Sequence, residues 1–166
     1  MYRLTVAIIL LTVAGAGARA QFSGSPQETQ ATRTRFGLLT VGEDRMLLFE
    51  GREFDPPLIG NNSLTLGEPL RIGPTDLVVI TDSGGTGCPF MYYVVSVTKS
   101  GAKATPAFGT CAELTGVRRK GDALELRMPG FRGPFEPQAA RRRAERERHI
   151  FVFRAGVVTE NGKPVK

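Results

Sequence analysis

The chain has 166 residues and a formal net charge of +6, and 41% of its residues are hydrophobic. The part after residue 20 has the length of one ordinary domain and is long enough to bury a core of its own. Without Arg3 and Arg19 the charge falls from +6 to +4, because no acid precedes residue 21. This mild excess favours anionic surfaces but does not by itself indicate a specific nucleic-acid partner.

The first 20 residues are typical of a secretory signal peptide. Arg3 supplies a positive start, an uncharged apolar run follows over residues 4–17, and small side chains precede an expected cleavage between Ala20 and Gln21. The run is shorter than the roughly 20 residues that span a bilayer as a helix, although an uncleaved anchor is the alternative. We therefore expect a periplasmic or secreted protein with no transmembrane segment after cleavage.

Residues 21–34 are predicted to be a flexible leader, because they are mostly polar or small. From residue 36 onward, short apolar runs alternate with Gly, Pro, Asn and Asp, which is typical of an all-β domain. Residues 35–166 are therefore expected to form a single β-rich domain. Its first strands are predicted at residues 36–41, 45–50, 63–66 and 70–72.

The centre of the sheet is predicted at residues 76–81 and 90–98. Both runs are apolar on both faces, which indicates strands buried on both sides. Further along, apolar residues alternate with Glu125 and Arg127, which predicts a half-exposed strand, and residues 150–154 and 157–159 form a last pair. The predicted fold is a mainly antiparallel β meander, a sandwich or a partly closed barrel, with one short Arg-rich helix near the C-terminus.

Cys88 and Cys111 are predicted to form a disulfide, because an isolated pair in an exported chain is most simply a bridge. A two-residue turn at Lys99 and Ser100 would place the two cysteines opposite each other at the open end of a hairpin. A turn one residue later would shift the pairing by two residues, and a bulge near the flanking prolines would absorb this shift. A metal site would need more ligands than these cysteines and the single histidine, His149.

Residues 137–149 are predicted to form the helix, with Pro137 at its start. Glutamates stand four residues after Arg141 and Arg143, a spacing that supports ion pairs on an exposed helix. On such a helix the arginines would spread around the circumference. They either bind an anionic polymer, a lipid headgroup or an acidic protein surface, or they only keep the helix solvated. These candidate binding residues are Arg141, Arg142, Arg143, Arg146 and Arg148.

The loop before this helix, residues 129–135, adds Phe131 and Phe135 to the same cationic neighbourhood. Exposed rings beside arginines would suit an interface. We expect instead that both rings are buried and attach the loop to the core.

No catalytic constellation stands out in the sequence. The glycine-rich segment at residues 83–87 lacks the lysine of a phosphate loop and the frame of a nucleophile elbow, so it is interpreted as a hairpin loop. His149 is interpreted as a solvated or capping residue. Asp76, Asp82 and Glu113 are the carboxylates that an envelope hydrolase would use.

The preferred interpretation is therefore an exported, non-catalytic binding or interaction module, without a metal, a cofactor or a specific nucleic-acid partner. A carboxylate-dependent envelope hydrolase and an inhibitor of an exported enzyme are the alternatives. The hydrolase would require a pair of carboxylates across a cleft. The inhibitor would require a surface that blocks the active site of another enzyme.

The cysteine hairpin also carries a resemblance. The segments Gly-Gly-Thr-Gly-Cys-Pro at residues 84–89 and Phe-Gly-Thr-Cys at residues 108–111 resemble those of small exported β-rich proteobacterial proteins, over roughly residues 36–128. The resemblance implies an exported, β-rich, disulfide-bridged protein. It implies no activity, ligand or catalytic residue.

Overall fold

A computed structural model describes residues 30–165. Fifteen strands and one helix lie in this range. The strands are β1 (Ala31–Thr34), β2 (Gly37–Val41), β3 (Leu47–Phe49), β4 (Arg52–Glu53), β5 (Ser63–Leu66), β6 (Leu70–Ile72), β7 (Thr75–Ser83), β8 (Phe90–Thr98), β9 (Gly101–Ala104), β10 (Phe108–Cys111), β11 (Gly116–Lys120), β12 (Ala123–Met128), β13 (His149–Arg154), β14 (Val157–Glu160) and β15 (Lys163–Pro164). The helix is α1 (Gln138–Ala144).

The strands form three antiparallel sheets. The first has the order β1-β2-β3-β4 and the third the order β11-β12-β13-β14-β15, while the second follows β10-β8-β7-β5, with β6 and β9 paired to its two central strands. One of the sheets curls into a half-barrel. The predicted mainly antiparallel β fold with one short helix near the C-terminus is therefore confirmed.

The second sheet lies between the other two, so its central strands are buried on both faces. One face, with Leu77 and Val94, packs on the third sheet through Leu126 and Phe151. The other face carries a second cluster, whose members on the central strands are Val78, Ile80, Val95 and Val97. The uninterrupted apolar runs of β7 and β8 are explained by these two cores, as their sequences predicted.

The N-terminal boundary of the domain differs from the expectation. Residues 31–34, which the sequence placed in the flexible leader, form β1 and pair with β2, and Thr34 is buried. Pairing with β2 satisfies the backbone of this polar segment, so it needs no apolar residues of its own. The signal peptide, its cleavage between Ala20 and Gln21, and the leader up to residue 29 lie outside the described residues.

Glu125, on the face of β12 that points away from the core, is the clearest correction of a predicted exposure. The alternation along β12 predicted an exposed side chain, but Glu125 is buried, because Arg118, Lys120 and Arg127 cover it. The hydrogen bond from Arg127 lowers the pKa of this carboxyl, although burial opposes the shift and Arg118 adds to it. The basic side chains of β11 therefore cover Glu125, which the alternation of inward and outward side chains along β12 alone predicts to be exposed.

The cysteine hairpin forms as predicted near its turn. Thr98 pairs with Gly101 across Lys99 and Ser100. Farther out the register shifts through a bulge, so that Cys111 pairs with Phe90 rather than with Cys88. The disulfide between Cys88 and Cys111 still forms, with their Cα atoms 4.8 Å apart.

Candidate anion-binding groove

A groove of about 530 Å³ lies where the loop after β7 meets two consecutive segments near the C-terminus. One wall is the glycine loop, which we define as residues 84–89. The opposite wall is the Phe131 loop, residues 129–135, and α1 with the turn that follows it closes the third side. The groove is lined by Gly84, Gly85, Thr86, Pro89, Gly130, Phe131, Arg132, Pro134, Arg141 and Glu145.

The glycine loop is held by its own backbone. The Gly84 amide donates to the Pro89 carbonyl at 2.7 Å, and the Cys88 amide donates to the Gly85 carbonyl at 3.1 Å. The side-chain amide of Asn62 donates to the Gly84 carbonyl at 2.8 Å. A Cβ atom on Gly84 would overlap the Cys88 carbonyl, so this close approach requires glycine.

The Phe131 loop sits directly on the end of α1. The Gly130 amide donates to the Ala144 carbonyl at 3.0 Å, and a Cβ atom on Gly130 would overlap the carboxylate of Glu147. Ala144 is itself buried beneath the loop. Small residues on both sides thus bring the helix close enough to form one side of the groove.

A covalent link and a hydrogen bond connect the two walls. The disulfide joins Cys88 of the glycine loop to Cys111 on β10. The neighbouring Thr110 hydroxyl donates to the Pro129 carbonyl of the Phe131 loop at 2.6 Å. The position of one wall relative to the other therefore depends on β10.

Among the residues described, two cations line this groove, Arg132, which is exposed, and Arg141. Arg141 is the more buried of the two. Its side chain is half-buried, and its Nε atom is buried without a hydrogen-bond partner among the described residues.

The predicted pairs of Arg141 with Glu145 and of Arg143 with Glu147 are wrong: neither lies within 4.0 Å in the described range. For Arg143 and Glu147 the reason is that α1 ends at Ala144, so their spacing is not carried on a continuous helix. For Arg141 and Glu145 the helical backbone hydrogen bond does form, at 3.0 Å, and nothing in the structure explains why their side chains stay apart.

The other candidate arginines lie outside the groove. Arg142, Arg143 and Arg146 line a separate depression of about 420 Å³, and Arg148 is exposed. The arginines of the segment are thus divided between two sides, as their positions around a helix predicted. Within residues 30–165 none of the five has a carboxylate within 4.0 Å, whereas Arg35, Arg118, Arg127 and Arg154 each do.

The two phenylalanines of the Phe131 loop differ in exposure. Phe131 is half-buried in the groove wall, but Phe135 is 97% exposed, so the expectation that both rings are buried is wrong for Phe135. The Glu136 amide donates to the Gly133 carbonyl, which closes a turn with Phe135 at its third position. Pro134 precedes the ring in that turn and favours its geometry.

Two of the three candidate carboxylates, Asp76 and Asp82, lie far apart. Asp76 and Asp82 stand six residues apart on β7, which corresponds to about 20 Å. Glu113 is exposed in the segment after β10. Two carboxyls that act across a glycosidic bond lie roughly 5–9.5 Å apart, so Asp76 and Asp82 do not form such a pair.

His149 is neither freely solvated nor a cap, because two carboxylates face its ring. Nδ1 lies 2.6 Å from Glu160 and Nε2 lies 3.3 Å from Glu147. The hydrogen bond with Glu160 raises the pKa of His149; partial burial opposes the shift, and Glu147 adds to it. Through these two contacts the ring links β13 to β14 and to the end of the helical segment.

We expect His149 to make the stability of the protein depend on pH. Its pKa is raised above the unfolded value of about 6.5, so its contribution is complete below that pH while the glutamates remain ionised, and it is lost as pH rises through the folded pKa. Urea unfolding of the wild type and of a His149→Gln variant measures this. The difference between them should be constant from about pH 5.5 to 6.5 and shrink above; a difference that grows with pH would contradict the assignment.

Broader comparisons add no chemistry to this site. The described residues contain no group of three or more side chains arranged to hold a metal ion. Among them, no helix has both the length and the apolar character needed to cross a membrane. Comparison of the chain with protein-family models, with curated proteins and with solved structures gives no match.

Proposed function

We propose that this protein is an exported, non-catalytic binding module that takes an anionic group of an envelope component in the groove beside α1. The observation that carries the proposal is Arg141, which lines the groove and has, among the described residues, neither a carboxylate within 4.0 Å nor a hydrogen-bond partner for its Nε. A guanidinium favours phosphate and carboxylate, because it donates two parallel hydrogen bonds to them. Partial burial strengthens such a contact, since less water screens it.

The glycine loop supports the same chemistry from the opposite wall. Across the described residues, the backbone amides of Gly85 and Thr86, two residues that line the groove, donate to no protein acceptor. Backbone amides gathered in a tight loop form concave sites that attract anions. An anion in the groove would meet the guanidinium on one side and these amides on the other.

Glu145 also lines the groove and bears on the choice of ligand. Its carboxylate repels an anion that fills the whole groove, but it accepts hydrogen bonds from hydroxyl groups beside one. This favours a ligand with one charged group and neighbouring hydroxyls over a uniformly charged polymer. The predicted export and the net positive charge after cleavage favour an acidic ligand of the envelope.

The test is binding of a soluble phosphate compound by the chain from residue 21 onward. Glycerol 3-phosphate is a suitable probe, and calorimetry at two salt concentrations should show weaker binding at the higher one. An Arg141→Gln variant should bind roughly tenfold more weakly, because one charge-assisted contact is lost. Arg154→Gln is the matched control, since Arg154 does not line the groove and is paired with Asp122 in the turn between β11 and β12.

Three results would contradict the proposal. They are no binding by the wild type, equal binding by the Arg141→Gln variant, and turnover of the bound compound. A reduced affinity counts in its favour only if the Arg141→Gln variant unfolds at the same urea concentration as the wild type, since only then does the loss report the groove.

A further inference from the structure

We infer that Phe135 and the arginines of the helical segment form a docking surface for an anionic lipid bilayer. In this arrangement the Phe135 ring enters the lipid layer, and Arg142, Arg143 and Arg146 contact phosphate headgroups. The inference rests on the proposed function, because it identifies the anionic envelope component as a membrane lipid.

The exposure of Phe135 is the first observation. Its ring is 97% exposed, whereas the next most exposed large apolar side chain of the described residues, Ile59, is 52% exposed. The turn from Gly133 to Glu136 holds the ring at a loop tip immediately before α1. An aromatic ring held in water has a strong tendency to enter an apolar phase.

The charge around this ring is the second observation. Between residues 131 and 148 the chain carries six arginines and three glutamates, and Glu147 already contacts His149. The depression outside α1 is lined by Arg142, Arg143 and Arg146 together with Gln138 and Ala139, and by no acid. Gln138, the first residue of this lining, stands three residues after Phe135 in the chain. A cation cluster so close in the chain to an inserted side chain matches the negative potential of an anionic membrane surface.

The isolation of the ring favours a bilayer over a protein partner. A stable protein interface covers about 800 Å² on each side and has several apolar anchors at its centre. Here one ring stands among proline and charged residues, since Phe131 is turned into the groove. A bilayer needs no complementary pocket, so one inserted ring and a few cations are sufficient for reversible attachment.

The chain contains no tryptophan, which allows a direct measurement of insertion. A Phe135→Trp variant would carry the only indole, and its emission should shift to shorter wavelength on vesicles of phosphatidylglycerol and phosphatidylcholine. No shift is expected on phosphatidylcholine alone. Ile59→Trp is the matched control, because it places the indole at another exposed apolar site that should stay in water on both vesicles.

Sedimentation with the same anionic vesicles measures affinity. A Phe135→Ser variant should bind roughly tenfold more weakly than the wild type. The combined Arg142→Gln, Arg143→Gln and Arg146→Gln variant should lose a larger factor, roughly fivefold for each arginine, and the loss should shrink at high salt. Ile59→Ser should bind as the wild type does.

Glycerol 3-phosphate binding separates this inference from the proposed function. If the wild type binds that probe but not the vesicles, the docking surface is wrong and the groove stands. If it binds neither, both are wrong. Equal vesicle binding by the wild type and the Phe135→Ser variant, or an unshifted Phe135→Trp emission on anionic vesicles, would also overturn the docking surface.

Discussion

Replacing Cys88 and Cys111 together with serine is expected to lower the free energy of unfolding by about 3 kcal/mol. The bridge closes a loop across a sequence separation of 23 residues, and its removal lets the unfolded chain explore more conformations. For a domain of this length the melting temperature should fall by roughly 10 °C. Urea unfolding monitored by circular dichroism measures the change.

A reductant provides the control for this experiment. Dithiothreitol should reduce the stability of the wild type to about that of the double serine variant and should leave the variant itself unchanged. If the variant is less stable but complete reduction leaves the wild type unchanged, the loss of stability comes from the serine side chains and not from the missing bridge.

The same variant should bind glycerol 3-phosphate more weakly under conditions where it is folded. Cys88 belongs to the glycine loop, and Cys111 follows Thr110, whose hydroxyl holds the Phe131 loop. Without the bridge the glycine loop is no longer attached to β10, the strand that holds the Phe131 loop, so the amides and Arg141 must be brought together at a cost in conformational entropy. Unchanged affinity would show that the hydrogen bonds of the loops suffice to position the walls.

The features that the sequence predicted correctly are encoded by neighbouring residues. The apolar runs of β7 and β8 and the two-residue turn at Lys99 and Ser100 each lie within a short window, so period and turn chemistry identify them. The disulfide was predicted from the expected export of the chain and from the register of the hairpin. The bulge that moves Cys111 opposite Phe90 was only an alternative, because its presence depends on how β10 packs.

Strands whose sequence is polar were missed. β11 has a single apolar residue, Val117, among basic ones, and β1 has none beyond Ala31. Both are edge strands, whose backbones are satisfied by one neighbour and whose side chains remain largely in water. A strand with almost no apolar residues shows no hydrophobic alternation, so the sequence pattern does not identify it. Because β11 was not identified, its cover over Glu125 was not predicted either.

The candidate site was only partly accessible to sequence reasoning. The arginines were singled out by composition, but their division between the groove and the outer depression depends on where α1 ends. The glycine loop was interpreted as an ordinary hairpin loop because it matches no phosphate-loop motif. This loop forms a wall of the groove because the backbone packs closely at Gly84 and at Gly130, two positions far apart in sequence. That both positions are glycine was the only indication of a close approach in the sequence. It did not indicate which part of the chain each glycine approaches.

Asp76→Ala is expected to lower the free energy of unfolding by about 3 kcal/mol. The Asp76 side chain is 1% exposed, and it accepts hydrogen bonds from the Arg35 backbone amide at 2.7 Å and from the Arg35 Nε at 2.8 Å. These contacts attach the turn between β1 and β2 to the start of β7. Without the carboxylate, the amide loses its acceptor, and the guanidinium keeps the Gly73 carbonyl as its hydrogen-bond acceptor and the Phe36 ring beneath it.

The expected cost lies at the lower end of the range for a broken buried pair, because the Arg35 side chain is 34% exposed and water can solvate the remaining charge. Asp76→Asn should cost roughly half as much, since it retains the shape and one acceptor oxygen. Glu113→Ala, at an exposed acid, is the control and should stay within about 0.5 kcal/mol of the wild type. If Asp76→Ala unfolds like that control, the carboxylate does not hold the first sheet to the second.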